Sequence, residues 1–153
     1  MRKTRHLMSY LAGIFDGEGC VSITKKKPRL EEIHSQYEVY LSVAMCDEAV
    51  PRFFQNVFGG SLQKRPIRDN RPRTRPIWQW SICSRKCLVI MKELLPYVLI
   101  KRPQLEVAIH LLEHRKSSHS NIDGKFIVTS DAELTLRQAD YILCHNLKQR
   151  GGL

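Results

Sequence analysis

Two carboxylates stand among glycines near the start of the chain, in the order Asp16, Gly17, Glu18, Gly19. Carboxylate oxygens and a glycine carbonyl are ordinary ligands of a hard divalent cation. A lysine or arginine could instead balance these charges, and Asp16 could hydrogen-bond the backbone of a turn. The residue types therefore indicate either a cation site or a structural acidic pair, and they leave the choice open.

A helix is predicted to position these carboxylates. Leu7, Leu11, Ile14 and Phe15 recur at helical spacing, and the glycines that follow are typical of a helix end. Negative charge at the C-terminus of a helix opposes the helix dipole. A compensating positive group is therefore expected nearby.

Small residues form a stripe along the same helix. Ser9, Gly13 and Gly17 stand at positions i, i+4 and i+8, with Ala12 beside them. Small side chains allow two backbones to approach closely. The helix could therefore pack against another element of its own domain or against the matching helix of a second copy.

Charge and length limit the classes of function. The 153 residues include 25 Lys and Arg against 15 Asp and Glu, which gives a net charge of +10. A basic balance of this size indicates a nucleic-acid partner, with an anionic membrane as the competing polyanion. The length predicts one domain over residues 1–153.

Five cysteines without a framework spacing predict a reducing, intracellular compartment, which could be the cytoplasm of a prokaryote or of a phage-infected cell, or the interior of an organelle. No apolar run approaches the ~18 residues that span a bilayer, so no membrane partner is expected. The N-terminus resembles a signal peptide, but acidic residues stand where small neutral ones should precede the cleavage point.

Alternation of apolar and polar residues predicts two pairs of strands separated by helices. After the first helix we expect strands at 21–24 and 38–45, a helix at 47–58, strands at 62–67 and 77–82, and helices at 88–95, from 103 onward and at 131–148. This order favours an α+β fold in which an antiparallel sheet has helices on one face. The core is predicted over about residues 5–115, with the last helix as a C-terminal addition.

The nine residues from Leu11 to Gly19 resemble the LAGLIDADG motif of the homing endonucleases, and the αββαββα order is similar to that family's fold. The match is to the branch with one motif per chain. The resemblance implies a homodimeric endodeoxyribonuclease that cuts both strands of a long pseudo-palindromic DNA target and leaves 3′ overhangs. It implies Mg²⁺ as the cofactor, Mn²⁺ as a substitute, and Ca²⁺ as an ion that supports binding without cleavage.

The resemblance also implies roles for individual residues. Glu18 is expected to bind the catalytic metal, with the Gly17 carbonyl assisting. Asp47 matches a polar residue that orients water, although its position also suits a helix N-cap. Lys101 matches a basic residue near the scissile phosphate.

A dimer is expected because one carboxylate cannot hold a complete metal site. Two copies related by C2 symmetry would bring two Glu18 side chains together, and each copy would contact one half of the target. The expected dimer interface comprises Ser9, Ala12, Gly13 and Asp16.

DNA is expected across the open face of the sheet, because strand pairs can enter a major groove and reach base edges. The polar residues that alternate with the apolar set are the expected contacts: Ser22, Thr24, Lys26, Glu38, Tyr40, Ser42, Gln63, Arg65, Arg68, Gln79 and Ser81. Arg71, Arg73 and Arg75 are expected to hold phosphates. Trp78 and Trp80 share the parity of the apolar set, which predicts core packing.

Two other functions remain open. The same scaffold could serve as an intron RNA maturase or a DNA-binding regulator without cleavage, with a cognate intron RNA as a partner; retention of Glu18 favours the nuclease. A basic membrane-surface protein is the third reading. His110 and His114 lack a further metal ligand at the usual spacing and are expected to be surface residues.

Overall fold

The computed structural model describes residues 4–27, 36–65, 75–83, 85–114 and 130–149. Its elements in chain order are α1 (Arg5–Glu18), β1 (Gly19–Lys26), β2 (Gln36–Met45), α2 (Ala49–Phe58), β3 (Ser61–Arg65), β4 (Ile77–Cys83), α3 (Lys86–Leu94), α4 (Arg102–His114) and α5 (Asp131–Gln149). This is the predicted αββαββα order followed by two helices. Most element ends differ from the predicted bounds by one or two residues, as expected where helices and strands fray.

The four strands form one antiparallel sheet in the order β1-β2-β4-β3. Ser22 lies opposite Tyr40 in the first pair, and Ser42 lies opposite Ser81 in the second. Gln63 lies opposite Gln79 in the third. This register places most polar residues of the four strands on one face, because side chains alternate between the two faces of a strand.

The other face of the sheet is covered by helices and forms the core. Along β2 the odd-numbered residues from 37 to 43 are buried, whereas the even-numbered residues are half-buried. α1 packs onto this face through Leu11 and Phe15, which are wholly buried. The structure therefore confirms the predicted α+β fold with an antiparallel sheet and helices on one side.

The two tryptophans differ in burial although they point to the same face. Trp80 is wholly buried, its indole N–H donates to the Gly59 carbonyl at 2.7 Å, and its ring lies 5.1 Å from that of Phe54. Trp78 is only half-buried, and the Lys64 ammonium lies 5.6 Å from its ring centroid. The prediction of core packing is confirmed for Trp80 and is wrong for Trp78, which lies at the edge of the core.

Two glycines separate α2 from β3. Gly59 and Gly60 have φ values of +72° and +94°, a region that L side chains rarely adopt. A Cβ on Gly60 would also lie 2.6 Å from the Ser81 carbonyl oxygen. The chain can therefore leave α2 and enter β3 beside β4 only because residue 60 has no side chain.

α5 closes the fold at the β1 end of the sheet. The Ser130 hydroxyl accepts the Glu133 N–H at 3.3 Å and so caps the start of α5. Gln138 accepts hydrogen bonds from the Lys25 ammonium at 2.8 Å and from the Tyr37 hydroxyl at 2.5 Å. Within the residues described, no helix combines the length and apolar character needed to cross a membrane.

The five cysteines differ in burial, so their reactivity can be used to check which side chains lie in the core. Cys20, Cys46 and Cys83 are exposed, whereas Cys87 and Cys144 are buried. Burial raises the pKa of Cys87 from 9.0 to about 12, and burial also raises the pKa of Cys144. Only the thiolate reacts with disulfide reagents, so at pH 8 Cys87 presents about 1,000-fold less of the reactive form than an unperturbed thiol.

We therefore expect three thiols to react rapidly with a disulfide reagent in the folded protein, and the remaining two to react only as the chain unfolds. Mass spectrometry of labelled peptides would identify them. Rapid labelling of Cys87 or Cys144 without denaturant would contradict the packing described above.

Candidate active site and nucleic-acid interface

The carboxyl end of α1 presents Glu18 to solvent at the point where the chain turns into β1. The Gly19 N–H donates to the Phe15 carbonyl, and a Cβ on Gly19 would lie 2.3 Å from that same oxygen. A glycine is therefore required for the tight turn. Carbonyl groups in the last turn of a helix lack intrahelical donors, so the Gly17 carbonyl can serve a ligand.

Glu18 lines an open cleft of about 300 Å³ together with Ala44, Met45, Cys46 and Ile77. Met45 ends β2 and Ile77 begins β4, so the cleft lies where these two strands meet the end of α1. No residue-type pattern in the sequence points to Cys46 or Ile77. Their positions at strand ends could have indicated them only once the pairing of β2 with β4 was known.

One copy of the chain supplies few ligands for a cation. Across the described segments, no cluster of three or more His, Cys, Asp or Glu side chains is arranged to hold a metal ion. Glu18 and the Gly17 carbonyl are two oxygen donors of the kind that Mg²⁺ and Ca²⁺ prefer. The residues present therefore fit part of a hard-cation site.

Asp47 has a structural role that the sequence analysis left open. Its Oδ1 accepts the Ala49 N–H at 2.8 Å at the start of α2. It follows Cys46 of the cleft directly. The N-cap position of α2 is occupied by Glu48, so Asp47 is not the N-cap residue; it lies one residue earlier and satisfies the first helical N–H beside the cleft.

Asp16 bonds to a distant turn. Its Oδ2 accepts the Leu99 N–H at 2.7 Å, and its Oδ1 accepts the Lys101 N–H at 2.9 Å. Two neutral backbone N–H groups therefore stabilise, by hydrogen bonding, the carboxylate whose negative charge opposes the dipole of α1. Lys101, the predicted phosphate contact, is attached by its backbone to the same helix end that carries Glu18.

The small-residue stripe is divided between two sides of α1. Ala12 is wholly buried in the core of its own chain, so its predicted place in a dimer interface is wrong. Ser9, Gly13 and Gly17 are exposed. A Cβ on Gly13 or Gly17 would meet no atom within 4 Å, which leaves open surface along that side of the helix.

The predicted DNA contacts that fall in the described strands share the open face of the sheet. They are Ser22, Thr24, Lys26, Glu38, Tyr40, Ser42, Gln63, Arg65, Gln79 and Ser81. Arg75 is exposed just before β4. Arg68, Arg71 and Arg73 lie outside the described residues. The register also places Cys20, Gln36, Ser61, Ile77 and Cys83 on this face, which strict alternation could have predicted.

A network on this face holds two candidate contacts in place. The Lys26 ammonium lies 2.7 Å from Glu38 Oε2, and the Tyr40 hydroxyl donates to the same oxygen at 2.6 Å. These hydrogen bonds to Glu38 raise the pKa of Lys26 and the pKa of Tyr40 above their usual values. At neutral pH Lys26 is therefore a cation and Tyr40 is a neutral donor, both oriented by one carboxylate.

The histidines of α4 lie on the surface, as predicted. His110 Nδ1 is 2.9 Å from Asp140 Oδ2 on α5, and His114 Nδ1 is 2.9 Å from the His110 carbonyl oxygen.

The contacts among Lys26, Glu38 and Tyr40 lead to a prediction about how charge on this face affects DNA binding. Glu38→Gln removes a negative charge and releases Lys26, so we expect tighter binding to non-target duplex. The slope of log K against log salt should steepen by up to about 0.9, the contribution of one further phosphate contact. Tyr40→Phe is the matched control, because it removes a hydrogen bond to Glu38 and leaves the charges unchanged. An unaltered slope in Glu38→Gln, measured by fluorescence anisotropy, would contradict this account of the face.

No protein-family model matches the chain. Among curated proteins, the probable intron-encoded endonuclease aI2 of Debaryomyces hansenii is 41% identical over 56 residues, which are 37% of this chain. That segment is only 7% of the length of the relative.

Solved structures match over almost the whole chain. The homing endonuclease I-TnaI has a TM-score of 0.65 at 16% identity, covering 97% of this chain and 96% of that one. The homing endonuclease I-CvuI in complex with its target has a TM-score of 0.64 at 18% identity, covering 93% and 90%. The LAGLIDADG homing endonuclease I-GzeII in complex with its DNA target has a TM-score of 0.63 at 15% identity, covering 90% and 43%. The chain therefore has the fold of the LAGLIDADG homing endonucleases and carries the residues that resemble their motif at positions 11–19.

Proposed function

We propose that this chain is a site-specific endonuclease that acts as a homodimer, requires a divalent metal, and cuts both strands of a pseudo-palindromic DNA target to leave 3′ overhangs. The observation that carries the proposal is the exposed carboxylate of Glu18, which lies in an open cleft at the ends of strands whose open face is polar. The catalytic site and the DNA-binding face of the sheet would then be adjacent on one molecule.

The open face supports DNA as the partner. It presents hydroxyls, amides and cations on four adjacent strands, and such side chains can read base edges in a major groove. The net charge of +10 would favour binding to a polyanion. I-CvuI and I-GzeII, which share the fold, were crystallised with DNA targets.

Glu18 and the Gly17 carbonyl would hold the metal ion. A bound Mg²⁺ would neutralise charge on the phosphate, activate water and stabilise the leaving oxygen. Complexes of I-CvuI with DNA were solved in 2 mM Ca and, with DNA not cleaved, in 2 mM Mg. These conditions support use of a divalent ion. The finer assignment is part of the proposal: Mg²⁺ would be the cofactor, Mn²⁺ would substitute for it, and Ca²⁺ would permit binding alone.

Two other residues would act around the phosphate. Lys101 would place its positive charge near the scissile phosphate, where it would stabilise the charge that develops there. Asp47 would orient water with the oxygen that does not accept the Ala49 N–H.

All five cysteines lie in the described part of the chain, and each is a free thiol. We therefore propose that the protein works in a reducing, intracellular compartment.

Glu18→Gln tests the nuclease assignment. The substitution keeps the size of the side chain and removes its charge, so we expect cleavage of a bound duplex to fall by about 100-fold or more, the scale found when one group that stabilises developing charge is lost. Affinity for the same duplex in Ca²⁺, or without metal, should stay within a few-fold of the unmodified protein.

Glu106→Gln, at an exposed position on α4, is the matched control and should cut normally. Undiminished cutting by Glu18→Gln would disprove the proposed role of the motif. Binding without cutting in the unmodified protein would favour the alternative of a DNA-binding regulator, and promotion of splicing of a cognate intron RNA would favour a maturase.

The proposed homodimer would form through the exposed side of α1. Two copies are needed because the described part of one chain lacks a full set of metal ligands, and the exposed side of α1 leaves space for a matching helix. Light scattering should give a mass of twice 17.8 kDa for the protein and one duplex per dimer. Gly13→Leu should weaken the dimer without unfolding the chain, because Gly13 is exposed and a Cβ there meets no atom of its own copy within 4 Å.

Ala132→Leu provides the matched control, since it adds the same bulk at an exposed position on α5. A monomer that binds and cuts both strands, or a Gly13→Leu variant that dimerises as tightly as the unmodified protein, would disprove this mode of assembly.

A further inference from the structure

The two hydrogen bonds of Asp16 join parts of the chain that are far apart in sequence. Leu99 and Lys101 lie 83 and 85 positions beyond Asp16, in the turn between α3 and α4. Each carboxylate oxygen accepts one backbone N–H, at 2.7 and 2.9 Å. Hydrogen bonds to an ionised acceptor are about twice as strong as neutral ones. This carboxylate therefore makes a firm attachment.

The turn has few other anchors of its own. Val98 is buried, and the Tyr97 and Val98 N–H groups donate to the Leu94 carbonyl at 2.9 and 3.2 Å. The next two side chains point outward, with Leu99 79% exposed and Ile100 68% exposed. Packing therefore does little to hold residues 99 and 100, and the Asp16 carboxylate ties down the backbone on either side of Ile100.

Lys101 is held by its backbone on both sides. Its N–H donates to Asp16, and its carbonyl accepts the Leu105 N–H at 3.0 Å as α4 begins. A side chain of four methylene groups explores much less space when its own peptide groups are fixed. The position from which the ammonium reaches outward is thus set by α1 and α4 together.

Asp16 also lies only two residues before Glu18. A single helix end consequently fixes both the carboxylate proposed to bind metal and the peptide that carries the proposed phosphate contact. On the basis of the proposed function, we infer that Asp16 is a positioning residue for the cleavage reaction. It would fix the position of the Lys101 side chain relative to Glu18. It acts through Lys101 and does not itself touch the phosphate or the metal.

A merely structural role would give a different pattern of rates. If Asp16 only stabilised the fold, its replacement would slow cleavage by the same factor whether or not Lys101 was present. If it acts through Lys101, its effect disappears when the ammonium is removed. A double-mutant cycle separates these cases.

The experiment compares Asp16→Asn, Lys101→Met and the double variant in single-turnover cleavage with Mg²⁺, and in DNA binding with Ca²⁺. We expect Asp16→Asn to slow cleavage by at least tenfold while DNA affinity stays within a few-fold. The double variant should be no slower than Lys101→Met. Thr4→Ala is the matched control, since it removes a backbone cap at the other end of α1, where the Thr4 hydroxyl accepts the Leu7 N–H at 3.3 Å, and it should cut normally.

Hydrogen exchange provides a second readout that needs neither metal nor DNA. The amides of Leu99 and Lys101 should lose protection in Asp16→Asn, while those of α4 beyond Leu105 should keep it. Should Asp16→Asn fail to fold, Asp16→Glu takes its place in the same cycle, because it retains both acceptor oxygens on a longer arm.

The outcomes are distinct. Equal slowing by Asp16→Asn in the presence and absence of Lys101, or unchanged amide protection, would overturn the positioning role while leaving the proposed nuclease intact. A protein that binds its target and never cuts it in Mg²⁺ would overturn the proposed function and this inference with it.

Discussion

The whole arrangement depends on how α1 ends. Phe15 is wholly buried against the sheet, and the next turn closes so tightly that residue 19 has no room for a Cβ. That closure fixes the last helical residues at the ends of β2 and β4, where Glu18 enters the cleft. Moving this helix end would displace the cleft carboxylate, the cap on the α3–α4 turn and the exposed small-residue stripe together, since one helix carries all three.

Alternate residues of each strand serve different purposes, since one set packs in the core and the other set forms the open face of the sheet. Helix-facing residues such as Val39, Leu41 and Val43 are wholly buried, whereas their neighbours in sequence face outward. The outward side chains can therefore vary in chemistry with little effect on the core, because surface substitutions seldom change stability by more than about 0.5 kcal/mol. The Glu38 network shows that this face is nonetheless ordered, since one carboxylate oxygen orients both Lys26 and Tyr40.

Local patterns in the sequence were sufficient to predict the order of the elements and the two faces of the sheet. Alternate residues of a strand lie on opposite faces, so alternation in the sequence maps directly onto the structure. The motif located Glu18 in the same way. The partners of Asp16 could not be foreseen, since backbone N–H groups more than 80 positions away carry no residue-type signal. The sequence does not show which side of α1 Ala12 occupies, because a small residue suits a tight core as well as an interface. Trp78 and Trp80 share parity, and only the position of each along β4 decides which is enclosed.

We have proposed that Glu18 belongs to a metal-dependent nuclease and that the open face of the sheet binds DNA. The most direct measurement is to incubate the protein with a randomised palindromic DNA library in Mg²⁺ and separately in Ca²⁺, and to sequence both the cut ends and the retained duplexes. This account predicts discrete ends with short 3′ overhangs at one near-palindrome in Mg²⁺, and retention of that same sequence uncut in Ca²⁺. Retention of one sequence without cutting in either metal would contradict it.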